Sequence, residues 1–399
     1  MQKLSLKGIC KRFPGVIAND NISIDFYCSE VHALLGENGA GKTTLMNIIY
    51  GIYKPDKGEI LIDDKMVNIK SPKDAISYGI GMVHQHFMLI ENHSVCENIC
   101  LGLKEAPFLN PQKRFANKIE KISEKYGLSV DPLAKIWQLS AGQQQKVEII
   151  KALIRGVKFL ILDEPTSVLT PQESDNLFIT INKLVQDGLG VIFISHKLEE
   201  VLKISNKITI LRGGKVINSV NPSETNKNDL AKMMVGKDVL FEFNKKDKEE
   251  DKKSDTKNKK DILSVNNLWV KGDKGLYSVK NLSFTLKEGE ILGVAGVSGN
   301  GQKELIEAIV GLRKYEKGEI KFLGKSLKSK TTKDISKLKI SHIPEERLKF
   351  GSVPNFSLYD NVILKEYDEI PYCKKGIIQI KKIKERTKEL VRLFNISTP

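Results

Sequence analysis

The sequence predicts an α/β fold, built on a mainly parallel sheet and written twice along the chain. Three observations carry that prediction. Short apolar runs alternate with segments patterned as helices. A glycine-rich turn joins one such run to the helix behind it. The glycine pattern of the first half also recurs 260 residues later: Gly36, Gly39, Gly41, Gly51 and Gly58 match Gly296, Gly299, Gly301, Gly311 and Gly318. A period that long marks a duplicated domain, not a stacked solenoid repeat.

The elements follow in order. "VHALLG" (31–36) is a strand-like run that enters the glycine turn, and "TTLMNIIYGIY" beyond it is patterned as a helix. "AGQQQKVEIIKALI" sets Val147, Ile150 and Ile154 on one stripe, which suits an amphipathic helix. "FLILDE" (159–164) and "VIFIS" (191–195) are apolar runs of the buried, parallel-strand type. In the second half, "LSVNNLWVKG" from Leu263 answers "LSLKGICKRF" from Leu4, and "NLSF" at Asn281 answers "NISI" at Asn21. "GVSGNGQKELIEAIVGLRKYEKGEI" answers "GENGAGKTTLMNIIYGIYKPDKGEI", and "SLYDNVILK" from Ser357 echoes "SVCENICLG" from Ser94.

The 399 residues suffice for two or three domains. The first copy occupies 1–243. Residues 244–261, "NKKDKEEDKKSDTKNKKD", have no apolar side chain to bury and mix both signs of charge, so they read as a mobile tether. The second copy, 262–399, stops within the helix-like "KKIKERTKELVRLF" region and reads as incomplete relative to the first. The net charge of +15 is uneven: 30 basic against 27 acidic residues in 1–243, and 26 against 16 in 262–399. The lysines are scattered without interleaved arginine and aromatic residues, so the sequence points to a solvated lysine-rich surface rather than a nucleic-acid interface. No apolar run approaches the roughly 20 residues of a membrane span, and the start lacks an apolar secretory core. Any membrane association is therefore expected to be peripheral. Five cysteines without a C-x-x-C pair are expected to be reduced thiols, with Cys96 and Cys100 sharing a helix face.

Gly36 to Thr43 fits G-x-x-x-x-G-K-[ST] between a strand and a helix, the context in which backbone N–H groups cradle phosphates at a positive helix end. Within this loop Asn38, Gly39, Ala40, Gly41 and Thr44 are expected to line the nucleotide, with Lys42 on the β- and γ-phosphates and Thr43 on Mg²⁺. Asp163, at the tip of an apolar run, is expected to hold the magnesium shell. Glu164 follows it, where a carboxylate can orient or deprotonate attacking water. His84, Gln85 and His86 alternate along a strand, and without a third ligand they make a poor metal site.

The order Gly36–Thr43, Gln85, "LSAGQ" (139–143), "FLILDE", His196 resembles the ATP-binding subunits of ABC transporters. The resemblance implies a P-loop NTPase fold with a helical subdomain, duplicated, and the second copy incomplete. It implies that Ser140, Gly142 and Gln143 offer a helix N-terminus to the γ-phosphate held by a facing nucleotide domain. Gln85 would line the magnesium and the water, His196 would contact the γ-phosphate, and Phe13 would stack on adenine. Thr170 stands where the family usually has Asp, which weakens any inference of cross-talk through that loop.

The second glycine loop keeps Gly296, Gly299 and Gly301 but replaces the lysine with Gln302 and the hydroxyl residue with Lys303. Gly272 takes the adenine-stacking position and Glu345 that of Gln85. These changes predict a copy kept for shape and not for turnover. Together with "IPEER" and "FGSVPNFSLYDN", they narrow the resemblance to tandem carbohydrate-type importers, and "GMVHQHFML" and "EPTSVLTPQE" favour the nucleoside branch. The implied protein hydrolyses MgATP on the cytoplasmic face of the membrane. Its implied partners are two permease subunits and an extracytoplasmic solute-binding lipoprotein. A ribosome-acting tandem ABC factor and a non-hydrolytic nucleotide-sensing regulator are the alternatives; Gln302 and the short mixed-charge tether weigh against the former.

Overall fold

A computed structural model of the chain describes residues 2–85, 87–103, 112–236, 259–273, 275–296, 299–345 and 347–396. His86 and residues 244–258 of the charged segment lie outside the described residues. The chain forms two compact units that part between Phe243 and Asn244.

The first unit begins with strands β1 (Lys3–Phe13) and β2 (Val16–Tyr27), then β3 (Val31–Leu35) and helix α1 (Lys42–Ile49). Next come β4 (Lys57–Ile62), β5 (Lys65–Val67), α2 (Pro72–Ser77) and β6 (Ile80–Val83). Helices α3 (Val95–Cys100), α4 (Gln112–Tyr126) and α5 (Ala141–Ile154) pack on one another as a helical layer. The chain returns through β7 (Phe159–Asp163), α6 (Pro171–Gln186), β8 (Gly190–Ser195), α7 (Leu198–Ile204), β9 (Lys207–Arg212), β10 (Lys215–Val220) and α8 (Lys227–Val235).

Two sheets result. β2-β1-β4-β5 is antiparallel; β10-β9-β3-β8-β7-β6 is parallel except for its edge strand β10. Every residue of β3, β6, β7 and β8 is buried, which is why their sequences run apolar without alternation. Their side chains still alternate between faces. Phe159, Ile161, Ile192 and Ile194 join Leu45, Met46 and the antiparallel sheet on one side. Leu160, Leu162, Val191 and Phe193 join α3 to α6 on the other. Both faces of the sheet are thus covered, and the backbone at its carboxyl edge is held in place.

The stripe Val147–Ile150–Ile154 is buried as predicted, but α5 also buries Gly142, Gln145, Glu148, Ile149 and Ala152. One apolar stripe is too narrow for a helix wedged between the sheet and other helices. Cys96 and Cys100 share α3; both are buried and all five cysteines are free.

The second unit repeats the antiparallel sheet with β11 (Asp261–Lys271), β12 (Tyr277–Lys287), β13 (Lys317–Phe322) and β14 (Lys325–Ser326), in the order β12-β11-β13-β14. Helix α9 (Gln302–Ile309) stands where α1 stood, followed by α10 (Thr332–Lys337), α11 (Leu358–Val362), the two-residue strands β15 (Cys373–Lys374) and β16 (Ile377–Ile378), and α12 (Ile380–Leu393). Val265, Leu268, Ile320, Leu305 and Ile309 form its core. The described stretch 290–296, the counterpart of β3, is not a strand, and its Ile291 is almost fully exposed. Among the described residues of this unit no parallel neighbour strands flank it.

Candidate nucleotide site

The site assembles at the carboxyl ends of four parallel strands, where α/β sheets gather their functional loops. β3 ends in the glycine turn, β6 in His84–Gln85, β7 in Asp163–Glu164 and β8 in Ser195–His196.

The turn after β3 needs its glycines. At Gly36 a Cβ would lie 2.4 Å from the Leu211 carbonyl oxygen, and Gly39 and Gly41 have φ of +84° and +97°. Gly41 caps α1, and its carbonyl accepts from Leu45 N at 3.0 Å and from Asn19 Nδ2 at 3.1 Å. Ala40 is buried, donating to Glu37 O and accepting from Gly214 N, while Asn38 is exposed at the tip. Thr44 follows, half-buried, in the first turn of α1. The Lys42 ammonium donates to the carbonyls of Gly36 (2.7 Å) and Glu37 (2.9 Å). Burial pushes its pKa down, against the raising influence of Glu164, Asp163 and Glu37.

Thr43 Oγ1 donates to Asp163 Oδ2 at 3.3 Å. Asp163 is buried, and burial, reinforced by the neighbouring Glu164 charge, pushes its carboxyl pKa up. Beside it Glu164 takes a left-handed φ of +47°, rare for a side-chain-bearing residue, while its N–H continues the ladder to Ile194 O at 3.0 Å. Its carboxylate is held from two sides: His196 Nδ1 lies 2.8 Å from Oε1, and Gln85 Nε2 donates to Oε2 at 3.5 Å. Three residues far apart in sequence, named for water activation and γ-phosphate contact, thus form one hydrogen-bonded string.

Ser140, Gly142 and Gln143 are not part of that string. Ser140 caps α5 in a reciprocal box with Gln143, and Gly142 backs onto Glu173, whose Oε1 would lie 2.6 Å from an added Cβ. Ser140 and Gln143 are exposed. Phe13 is partly exposed and meets Tyr53 edge-on at 5.4 Å, an aromatic neighbour that sequence reasoning missed. Also missed is Glu200: its Oε2 accepts from Thr166 Oγ1 (2.6 Å) and Ser195 Oγ (3.3 Å), and its Oε1 from Lys197 Nζ (3.0 Å). That carboxylate ties the loops after β7 and β8 together and so holds Glu164 and His196 in register. Nothing in the one-dimensional pattern distinguishes it from a solvated helix glutamate.

In the second unit Gly299 and Gly301 keep φ of +88° and +95°, so the described part of that turn has the shape of the first. Gln302 folds back so that its Nε2 lies 2.3 Å from where a Gly296 Cβ would stand. Lys303 Nζ lies 4.0 Å from Asp273. Glu345 is exposed, and Gly272 sits in the hairpin turn after β11.

The family model described as "ABC transporter" matches residues 19–167 and 279–398. The chain is 41% identical over 397 residues to the guanosine import ATP-binding protein NupO of Bacillus subtilis, covering 99% of this chain and 76% of that one. It is 41% identical over 389 residues to the nucleoside import ATP-binding protein NupA of Lactococcus lactis, covering 97% and 75%. It is 38% identical over 398 residues to the galactose/methyl galactoside import ATP-binding protein MglA of Haemophilus influenzae, covering 99% and 76%. Among solved structures, the ADP conformation of MJ1267, an ATP-binding cassette of an ABC transporter, aligns with a TM-score of 0.53 and 28% identity over 59% of this chain and 100% of that one. With both copies matched and relatives alike along almost the whole sequence, the chain belongs to the ABC transporter family as one of its ATP-binding ATPases.

Proposed function

We propose that this chain energises the import of nucleosides, with simple sugars as the second candidate, by hydrolysing ATP in its first domain (1–243). The second domain (262–399), joined through the charged segment 244–261, carries Gln302 and Lys303 in its glycine loop and does not hydrolyse ATP. The observation that carries the reading is the string Gln85–Glu164–His196 set beside a phosphate loop whose Lys42 and Thr43 are intact.

In this reading the N–H groups at the start of α1 and the Lys42 ammonium receive the β- and γ-phosphates. Thr43 Oγ1 and Asp163 Oδ2 fit a magnesium ion: two hard oxygen donors converge, and burial, reinforced by the Glu164 charge, disfavours the Asp163 carboxylate in a way that a bound cation would relieve. Thr43 and Asp163 would hold the ion, which would supply neutralisation of the negative charge that develops on the phosphates. Glu164 Oε2 orients a water and accepts its proton; His196 holds the other carboxylate oxygen, which keeps Oε2 aimed, and contacts the γ-phosphate. Gln85 lines the water from the β6 side. Phe13, with Tyr53 at its edge, stacks on adenine. Ser140, Gly142 and Gln143 serve a nucleotide held by a facing domain, which accounts for the exposed side chains of Ser140 and Gln143 at the start of α5.

The nucleoside preference is supported by the two relatives at 41% identity whose names specify guanosine and nucleoside import, against 38% for the galactoside importer. Two permease subunits and an extracytoplasmic solute-binding lipoprotein are the proposed partners, with no nucleic acid, and the chain sits on the cytoplasmic face of the membrane. Among the described residues no helix is long and apolar enough to cross a membrane.

Substitution Glu164→Gln tests the catalytic assignment in the assembled transporter. ATP affinity stays within a few-fold of wild type, while phosphate release falls roughly 10²–10⁴-fold. Turnover at the wild-type rate refutes the role of Glu164, and vesicles that take up labelled sugar but no nucleoside overturn the substrate preference.

A further inference from the structure

Asn19 lies in the interior of β2 and is fully buried. Its Nδ2 donates to the Gly41 carbonyl at 3.1 Å, and its Oδ1 is buried without a hydrogen-bond partner. The phosphate loop rests directly on this strand: a Cβ on Gly41 would come within 2.1 Å of Ala18 O and 2.7 Å of Asn19 Nδ2. A buried amide with one end unpaired is a cost to stability, and an apolar residue of similar shape would avoid it.

The second copy shows that avoidance. Asn19 pairs with Lys11 across the β1–β2 hairpin, and at the matching place Val270 pairs with Val279. Val279 is buried in the core of the second unit. The last glycine of the turn and the first hydrogen bond of the helix are nevertheless alike in the two copies. Gly301 has φ of +95° against +97° for Gly41, and Leu305 N donates to Gly301 O at 2.9 Å as Leu45 N does to Gly41 O at 3.0 Å. Neither the hairpin nor the helix start therefore needs the amide. The polar residue accompanies the loop that keeps its lysine, and the apolar one accompanies the loop that has lost it.

We infer that Asn19 is a positioning residue of the nucleotide site, acting through the Gly41 carbonyl on the peptide that presents the Lys42 N–H. In a planar trans peptide the C=O and N–H point in opposite directions. Drawing the Gly41 oxygen towards β2 therefore aims the Lys42 N–H out of the start of α1, where phosphate oxygens are received. The inference rests on the reading that this turn binds the nucleotide phosphates, and the test separates the two.

The full chain is prepared as Asn19→Val, the side-chain type of the second copy, as Asn19→Asp, which keeps the shape and loses the donor, and as Lys42→Ala. MgATP affinity is measured by calorimetry, melting temperature without nucleotide by scanning calorimetry, and KM and kcat in the assembled transporter. Both Asn19 variants raise Kd and KM about 5- to 10-fold, the loss of one hydrogen bond, with kcat within about twofold. The melting temperature of Asn19→Val stays at or above wild type. A lowered melting temperature with unchanged KM shows a merely structural residue and overturns the inference. Should Asn19→Val fail to fold, Asn19→Asp decides by the same Kd and KM criteria. Wild-type affinity in both Asn19 variants, with binding lost in Lys42→Ala, overturns the inference alone; wild-type affinity in Lys42→Ala overturns the phosphate-loop reading and the inference with it.

Discussion

His32 shows how a buried titratable residue shapes the pH response of this fold. It lies in β3 with Nε2 2.8 Å from Thr209 Oγ1, its ring edge-on to Phe26 at 4.8 Å, and Nδ1 unpartnered 4.0 Å from Glu30 Oε1. Burial, with the Lys207 ammonium nearby, pushes its pKa from 6.5 down to about 3. Because the folded value is depressed, the native state binds fewer protons than the unfolded chain across that interval. The stabilisation is present above pH 6.5 and is lost as pH falls toward about 3, a change of up to roughly 5 kcal/mol if carried to completion. Denaturant unfolding between pH 7 and 4 is therefore expected to show falling stability, with a shallower slope in a His32→Gln variant. An unchanged slope in that variant locates the acid sensitivity elsewhere.

Helix α6 illustrates what one residue does for an element. Thr170 caps it: Glu173 N donates to Thr170 Oγ1 at 3.2 Å, and Glu173 Oε2 accepts from Thr170 N at 2.9 Å. The resemblance usually has Asp here, and Thr and Asp are both good N-caps, so the exchange leaves the helix start intact. Thr170→Ala is expected to lower stability by about 1 kcal/mol, whereas Thr170→Asp changes it by only a few tenths, as measured by urea midpoints. The same element logic governs the glycine turn, where β3 and α1 are fixed by core packing and only the short connection between them is free to hold a ligand.

At the scale of the whole molecule, two turns of the same described shape carry different chemistry. The first has an ammonium at the loop, a hydroxyl beside a buried carboxylate and a polar clamp beneath. The second has the Gln302 amide, a lysine near Asp273, and Val279. Calorimetry is expected to give one tight MgATP per chain, abolished by Lys42→Ala. Replacing Gln302→Lys together with Lys303→Thr restores the cation and the hydroxyl, and the number of bound nucleotides then rises towards two. A wild-type chain that binds two equivalent nucleotides contradicts the asymmetry argued from these side chains.

Much of this was legible in one dimension because local chemistry imposes local pattern. Uninterrupted apolar runs mark strands covered on both faces, and three glycines before a lysine mark a backbone turn that no other residue type can follow. The 260-residue repeat marks the duplication. Pairwise assembly was not legible there. That Glu164 sits between Gln85 and His196, that Glu200 clips the loops after β7 and β8, and that Asn19 holds the phosphate turn from below all depend on strand order, which brings the chain together across distances along which sequence carries no spacing rule. Sequence alone determined the fold class and singled out the glycine turn as the candidate phosphate loop, because both follow from short-range sterics and apolar periodicity. Only the tertiary structure decided which distant side chains share a hydrogen bond, because such contacts are set by the packing of the sheet and not by any repeat along the chain.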